Sequence, residues 1–135
     1  MKKLITHTFY IFMFAILAST QPAWAQSSDH EKSISISLKA GSSRDLSAMF
    51  ENNVELNING NEGDYSKNQA ELILRDFFKK FPPEEFDIVH KGKSGSQILY
   101  YIGSYQSSHG NFRTLIKCKL KDDNIRIYSM DFNKE

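Results

Sequence analysis

The hydrophobic positions of this chain recur with a helical period in its first half and with a strand period in its second half. The clearest helical pattern covers residues 66–81, where apolar side chains at spacings of three and four form one broad face. Ser66 and Gln69 have the spacing of a capping box at its start. Pro82-Pro83 ends it, because proline lacks the N–H that the helical ladder needs. The apolar face comprises Ala70, Ile73, Leu74, Phe77, Phe78 and Phe81.

Two shorter helices and one strand are predicted before this long helix. Residues 30–40 carry two apolar side chains four positions apart on one face, and Gly41 is a suitable stop. Residues 44–50 follow with a second short apolar stripe. Residues 54–58 alternate between apolar and polar side chains, as a half-buried strand does. The polar, glycine-containing segment 59–64 then predicts a turn.

The rest of the chain is predicted to form strands joined by short turns. Four strands are expected, over residues 86–90, 97–106, 111–120 and 125–132. The predicted order is therefore α-α-β-α-β-β-β-β, with the helices early and the strands late. This order indicates an α+β fold, in which a cone-shaped, strongly curved antiparallel (mixed) sheet wraps around the one long helix.

The first 25 residues have the order of features that defines a secretory signal peptide. A basic start at residues 1–3 precedes a short apolar run over residues 9–18, and small residues stand at Ala23 and Ala25. We expect cleavage between Ala25 and Gln26. The apolar run is too short for a membrane span, and the absence of a nearby cysteine argues against a lipoprotein.

The predicted product is therefore periplasmic or secreted, with no membrane span after cleavage. Residues 26–30 are expected to form a disordered leader, and residues 31–135 a single domain. His30 falls in this leader and His109 in a later turn, so we expect both side chains in solvent.

Charge and composition narrow the classes of function. The formal net charge is +1, and it becomes about −1 once Lys2 and Lys3 are removed, so no strong field favours nucleic acid. The single cysteine, Cys118, cannot form an internal disulfide and is expected to be buried, with an intermolecular disulfide or a reactive thiol as the alternatives. The scattered histidines lack metal-ligand spacing, and no cofactor motif or serine nucleophile motif is present. We therefore predict no metal, no cofactor and no nucleic-acid partner.

Three segments carry a resemblance to a known superfamily. Residues 34–50 contain a helix ending near Gly41, then Asp45-Leu46 and a phenylalanine before the first strand; residues 76–82 and 90–94 add two further matches. Together they resemble the nuclear-transport-factor-two-like (cystatin-like cone) superfamily, and within it a small secreted bacterial family whose function is unassigned. The resemblance implies the cone fold. It does not imply a task, because this fold hosts isomerases, dehydratases, ligand carriers and assembly modules.

A curved sheet around one helix can leave an apolar cavity at its wide end. Candidate lining residues are Phe50, Phe77, Tyr101, Phe112 and Tyr128, together with His90. His90 has the same strand parity as Phe86 and Ile88, so it is expected to point into the cone. There it could be a buried, hydrogen-bonded imidazole, a ligand contact or a general base.

Three functions remain open at this point, one of them a dimeric structural adaptor, and none has an assigned catalytic residue. The first is a non-catalytic domain that binds a hydrophobic small molecule or an envelope protein. The alternative is a proton-transfer enzyme of the isomerase or dehydratase type, using His90 and a pocket tyrosine.

The strand over residues 97–106 is apolar on both parities, which predicts that the face of the sheet away from the helix is also covered. A second copy of the protein, forming a homodimer through this outer face, is the simplest cover. Scattered surface tyrosines are the alternative interpretation.

Overall fold

A computed structural model describes the backbone of residues 24–135 and the side chains of residues 29–135. The basic start and the apolar run of the predicted signal peptide lie outside the described residues. The elements are α1 (Trp24–Ala40), α2 (Ser43–Ala48), β1 (Phe50–Ile58), β2 (Asn61–Ser66), α3 (Lys67–Lys80), β3 (Pro83–Ser94), β4 (Ile98–Ser107), β5 (Gly110–Lys121) and β6 (Asn124–Lys134). None of the helices between residues 24 and 135 is both long and apolar enough to cross a membrane.

Helix α1 begins earlier than the sequence pattern predicts. It starts at Trp24, so it includes the expected cleavage junction and residues 26–30, which were expected to form a disordered leader. His30 lies within this helix, and its Nε2 is 2.9 Å from the carbonyl oxygen of Asp123 in the β5–β6 turn. The contact joins the first half of α1 to the β5–β6 turn.

The six strands form one sheet in the order β2-β1-β6-β5-β4-β3. Strands β3 to β6 follow one another as antiparallel neighbours. Strand β6 then pairs with β1 in parallel, and β1 pairs with β2 in antiparallel orientation. The sheet is curved and does not close, so the predicted α+β class is confirmed, including the mixed character of the sheet.

Strand β2 is an element that the sequence pattern did not indicate. Asn59 and Gly60 both have positive φ, 51° and 91°, which is the backbone that a two-residue hairpin turn requires. The Asn57 side chain stabilises the turn by accepting a hydrogen bond from the Gly60 N–H at 2.9 Å. The turn is therefore shorter than residues 59–64, and the rest of that segment pairs with β1.

The long helix α3 has the capping box that the sequence predicts. The Ser66 hydroxyl accepts from the Gln69 N–H, and the Gln69 side chain accepts from the Ser66 N–H, both at 3.3 Å. The helix ends at Lys80, and its apolar side packs against one face of the sheet, which we call the inner face; the opposite side is the outer face.

Phe77 on α3 lies at the centre of an aromatic cluster on the inner face. Its ring centroid is 4.5–5.8 Å from those of five other aromatic rings. These rings belong to Phe78, Phe81, Tyr105, Phe112 and Phe132. Cys118 is buried in the same core, as its sequence context predicts. Helix α3 and the inner face thus form one continuous hydrophobic core.

Candidate functional site

His90 does not point into the cone, and a β-bulge in β3 is the reason. Ile88 pairs with Gly103 of β4, but His90 pairs with the next residue along, Ile102, so Val89 is an extra residue in β3. An extra residue reverses the alternation of side chains beyond it. His90 is exposed on the outer face, with its ring 6.3 Å from that of Tyr100. The prediction of an inward His90 is wrong.

The six predicted pocket residues separate into two groups. Phe50, Phe77, Tyr101 and Phe112 are buried in the inner core, each 5% exposed or less. Tyr128 lies with His90 on the outer side, and the Lys119 ammonium sits 5.0 Å from the centre of its ring. Lys117 pairs with Ser129 and Cys118 pairs with Ile127, so Tyr128 is the extra residue of a second bulge. The structure therefore does not bring the six residues together in one pocket.

The buried tyrosines are held in their neutral form. Burial raises the pKa of Tyr101 to about 12, with smaller contributions from Cys118 and Glu31. Burial also raises the pKa of Tyr105, whose hydroxyl donates to the carbonyl oxygen of Phe81 at the end of α3. That hydrogen bond fixes the helix terminus beside β4, and it gives the Tyr105 hydroxyl a structural partner.

An open cleft of about 500 Å³ lies at one end of the sheet, and we call it the end cleft. Four parts of the chain surround it: the end of α3, the β1–β2 turn, the β4–β5 turn with the start of β5, and the end of β6. Its lining residues are Ile58, Asn59, Asn61, Lys80, Phe81, His109, Phe112 and Lys134. Phe112 is the one predicted pocket residue among them.

The Phe81 ring connects the aromatic core with the wall of the end cleft. Its N–H donates to the carbonyl oxygen of Phe77 at 2.8 Å, and Pro82 prevents the helix from continuing. The Phe81 ring is half-buried and lies 5.3 Å from the Phe77 ring and 4.8 Å from the Phe112 ring. The wall of the cleft is therefore continuous with the core.

The polar groups around this wall are basic or neutral. The Lys80 and Lys134 ammonium groups lie 5.7 Å and 5.8 Å from the centre of the Phe81 ring. The exposed His109, expected in solvent, lines the cleft as well, together with two asparagines. No acidic residue is among the described lining residues. Elsewhere between residues 24 and 135, no three histidine, cysteine, aspartate or glutamate side chains gather as a metal site would require.

Sequence reasoning missed Lys80, Phe81, His109 and Lys134 as site residues. One signal was present: Phe81 is the last member of the apolar face of α3 and directly precedes two prolines, so its ring stands where the helix must stop. The two lysines and His109 resemble ordinary surface residues, because the contacts that unite them join distant parts of the chain.

The pKa values of the core predict loss of stability at alkaline pH. Burial raises the pKa of Cys118 to about 12, and that of Tyr101 also to about 12. The unfolded chain loses these protons at lower pH than the folded chain. The free energy of unfolding is therefore expected to fall as pH rises from about 8.5 toward 12.

Urea unfolding, followed by circular dichroism from about pH 8 to about pH 10.5, measures this fall. Cys118→Val should flatten the pH dependence, since it removes one titrating group while keeping an apolar side chain of similar size. An unchanged urea midpoint over this range in the parent chain would contradict the prediction.

The family model for the Domain of unknown function (DUF4783) matches residues 31–133 of this chain. A DUF4783 protein from Bacteroides uniformis is similar at 23% identity and TM-score 0.73, over 77% of this chain and 95% of that one. A DUF4783 protein from Bacteroides ovatus is similar at 26% identity and TM-score 0.72, over 76% and 93%.

An NTF2-like (nuclear-transport-factor-two-like) protein from Cytophaga hutchinsonii is similar at 11% identity and TM-score 0.63, over 85% of this chain and 100% of that one. At this identity the likeness concerns the fold alone. No curated protein matches the sequence. The family match covers nearly all the described residues, and the cone fold is shared with nuclear-transport-factor-two-like proteins; the chain belongs to the DUF4783 family.

Proposed function

We propose that this protein is an exported, non-catalytic domain that binds a small hydrophobic molecule in the end cleft. The observation that carries the proposal is the half-buried Phe81 ring, which extends the aromatic core into a cleft of about 500 Å³. Small-molecule sites typically have volumes of about 300–1,000 Å³ and apolar walls with a few polar groups. The end cleft has a volume in this range, and Ile58, Phe81 and Phe112 supply an apolar wall beside its polar lining residues.

The alternative of a proton-transfer enzyme has less support from the geometry. It required His90 beside a tyrosine in a desolvated pocket. His90 is exposed on the outer face, whereas Tyr101 and Tyr105 are buried on the inner face. The sheet thus lies between His90 and both buried tyrosines. Tyr128 shares the outer side with His90, but His90 is exposed there and not desolvated.

The binding test uses 1-N-phenylnaphthylamine, an uncharged fluorophore that brightens in apolar sites. We expect saturable binding, and a loss of affinity of about tenfold or more in Phe81→Ala, because burying one such side chain is worth about 1.5–3 kcal/mol. Leu72→Ala is the matched control, since Leu72 is 52% exposed on the same helix and lies outside the cleft. If Phe81→Ala binds the fluorophore with the same affinity as the parent chain, and circular dichroism shows an intact fold, the proposal is refuted.

Export is supported by the order of features in residues 1–25, and mass measurement tests it independently. Native mass spectrometry of the protein from its own cells should give a chain that begins at Gln26 and should report any ligand retained with it. A full-length chain that begins at Met1 would contradict export.

A further inference from the structure

Two ammonium groups lie close to one aromatic ring in the end cleft. Lys80 is the last residue of α3 and Lys134 the last residue of β6, yet their Nζ atoms lie 5.7 Å and 5.8 Å from the centre of the same Phe81 ring. Each distance is within the range of a cation–π contact. The ring therefore brings two like charges from distant parts of the chain to one small region.

These two charges lack a carboxylate partner within the described part of the chain. The ion pairs found there are Glu71–Arg75, Glu31–Lys91 and Glu51–Lys121, and none includes Lys80 or Lys134. The lining of the cleft adds His109 and contains no acid. Like charges beside a low-dielectric wall reinforce one another's potential and attract an anion.

The end of α3 explains only part of this arrangement. A lysine in the last turn of a helix is favoured by the partial negative charge of the free carbonyl groups, which accounts for Lys79 and Lys80. It does not account for Lys134, which is on a strand. A Cβ atom added at Gly110 would lie 3.0 Å from Cε of Lys134, so the Lys134 stem rests against the backbone at this point.

We infer that the end cleft binds an amphipathic anion, with a carboxylate or phosphate head held between Lys80 and Lys134 and an apolar body against Phe81 and Phe112. This inference rests on the proposed function and adds the class of ligand. Asn59 and Asn61 also line the cleft, and their side-chain amides are hydrogen-bond donors. Charge-assisted hydrogen bonds of this kind are about twice as strong as neutral ones.

Isothermal titration calorimetry with four ten-carbon probes tests the inference: decanoate, decyl phosphate, decan-1-ol and decyltrimethylammonium, each kept below its micelle concentration. The two anions distinguish a carboxylate head from a phosphate head. We expect at least one of them to bind about tenfold or more tightly than the alcohol, and the cation to bind most weakly. Added salt should lower the binding affinity of the anion and leave the affinity of the alcohol unchanged.

The double variant Lys80→Gln with Lys134→Gln should remove the preference for the anion over the alcohol. Lys79→Gln is the matched control, since Lys79 neighbours Lys80 on α3 but does not line the cleft, and it should keep the preference. Retention of the preference in the double variant would overturn the inference.

The remaining outcomes separate the inference from the proposed function. Alcohol and anion binding equally well at this site would overturn the inference and leave the proposed function intact. No binding of any monomeric probe would overturn both. Binding to phosphatidylglycerol vesicles without binding to decanoate or decyl phosphate would also overturn the inference, because the surface would then be recognising a membrane.

Discussion

Replacing Phe77 by alanine is expected to lower the free energy of unfolding by about 3–5 kcal/mol. The loss should be among the largest that any single truncation causes in this domain. It is also a large fraction of the total stability of a typical small domain, which is about 5–15 kcal/mol.

The size of this effect follows from the number of rings that Phe77 contacts. Its centroid lies 4.5 Å from that of Phe132 and 5.1 Å from that of Phe112, and three further rings lie within 5.8 Å. Removing the ring leaves a cavity that touches α3 as well as β4, β5 and β6. The surrounding rings cannot collapse into it without losing their own contacts.

Urea unfolding monitored by circular dichroism measures the change, and two variants on α3 serve as comparisons. Phe77→Leu keeps most of the volume and should lose a smaller part of the stability. Leu72→Ala removes an exposed side chain from the same helix and should change stability by about 0.5 kcal/mol or less. A loss below about 1 kcal/mol in Phe77→Ala would mean that Phe77 does not organise the core.

The parts of the fold that could be predicted depend on neighbours in sequence. The capping box at Ser66 and Gln69, the apolar face of α3 and the proline stop at Pro82 all involve residues within one helix. The alternation of apolar and polar side chains along β5 and β6 is likewise a pattern within each strand. These local preferences agree with the tertiary structure, which is why the fold class and the position of the long helix were predictable.

His90 shows where local pattern fails. Strand parity is counted along one chain, whereas a bulge is defined by how two strands pair, so the extra residue at Val89 has no clear signature in alternation alone. The bulge places the His90 side chain on the outer face of the sheet, whereas strand parity predicted the inner face.

Strand β4 carries apolar side chains on both sides of the sheet. It is apolar on both parities because its inner face packs on the core, while Ile98, Tyr100 and Ile102 stand half-buried on the outer face. The second row of apolar side chains therefore lies on the outer face, and the expected cover of this face is untested. The homodimer that would cover this face stays a prediction.

Only part of the end cleft could be predicted, because the position of Phe81 before two prolines is a local feature and the other walls come from distant parts of the chain. The Lys80 and Lys134 ammonium groups both come near the Phe81 ring only because the sheet brings the end of β6 beside the end of α3. A lysine in a helix terminus and a lysine in a final strand are unremarkable in sequence. The two lysines are recognised as site residues only because both ammonium groups lie near the Phe81 ring.

Gly103→Ala is expected to lower the free energy of unfolding by about 1–3 kcal/mol, although alanine normally suits a strand interior better than glycine. A Cβ atom at this position would lie 2.5 Å from Cε2 and Cζ of Phe86 and 2.7 Å from Oγ1 of Thr114. Both neighbours are fully buried, so neither can move aside without disturbing the core. The glycine marks a close approach of a side chain to the backbone of β4.

A double-mutant cycle with Phe86→Leu separates this steric conflict from any general effect of alanine in β4. If the Phe86 ring is the obstacle, Gly103→Ala should be less harmful in the Phe86→Leu background than in the parent chain, and the difference is the coupling between the two positions. Urea unfolding of the parent, the two single variants and the double variant gives the four free energies. An equal loss in both backgrounds would show that the ring is not what requires glycine at position 103, and the conflict would then have to come from Thr114 on the neighbouring strand.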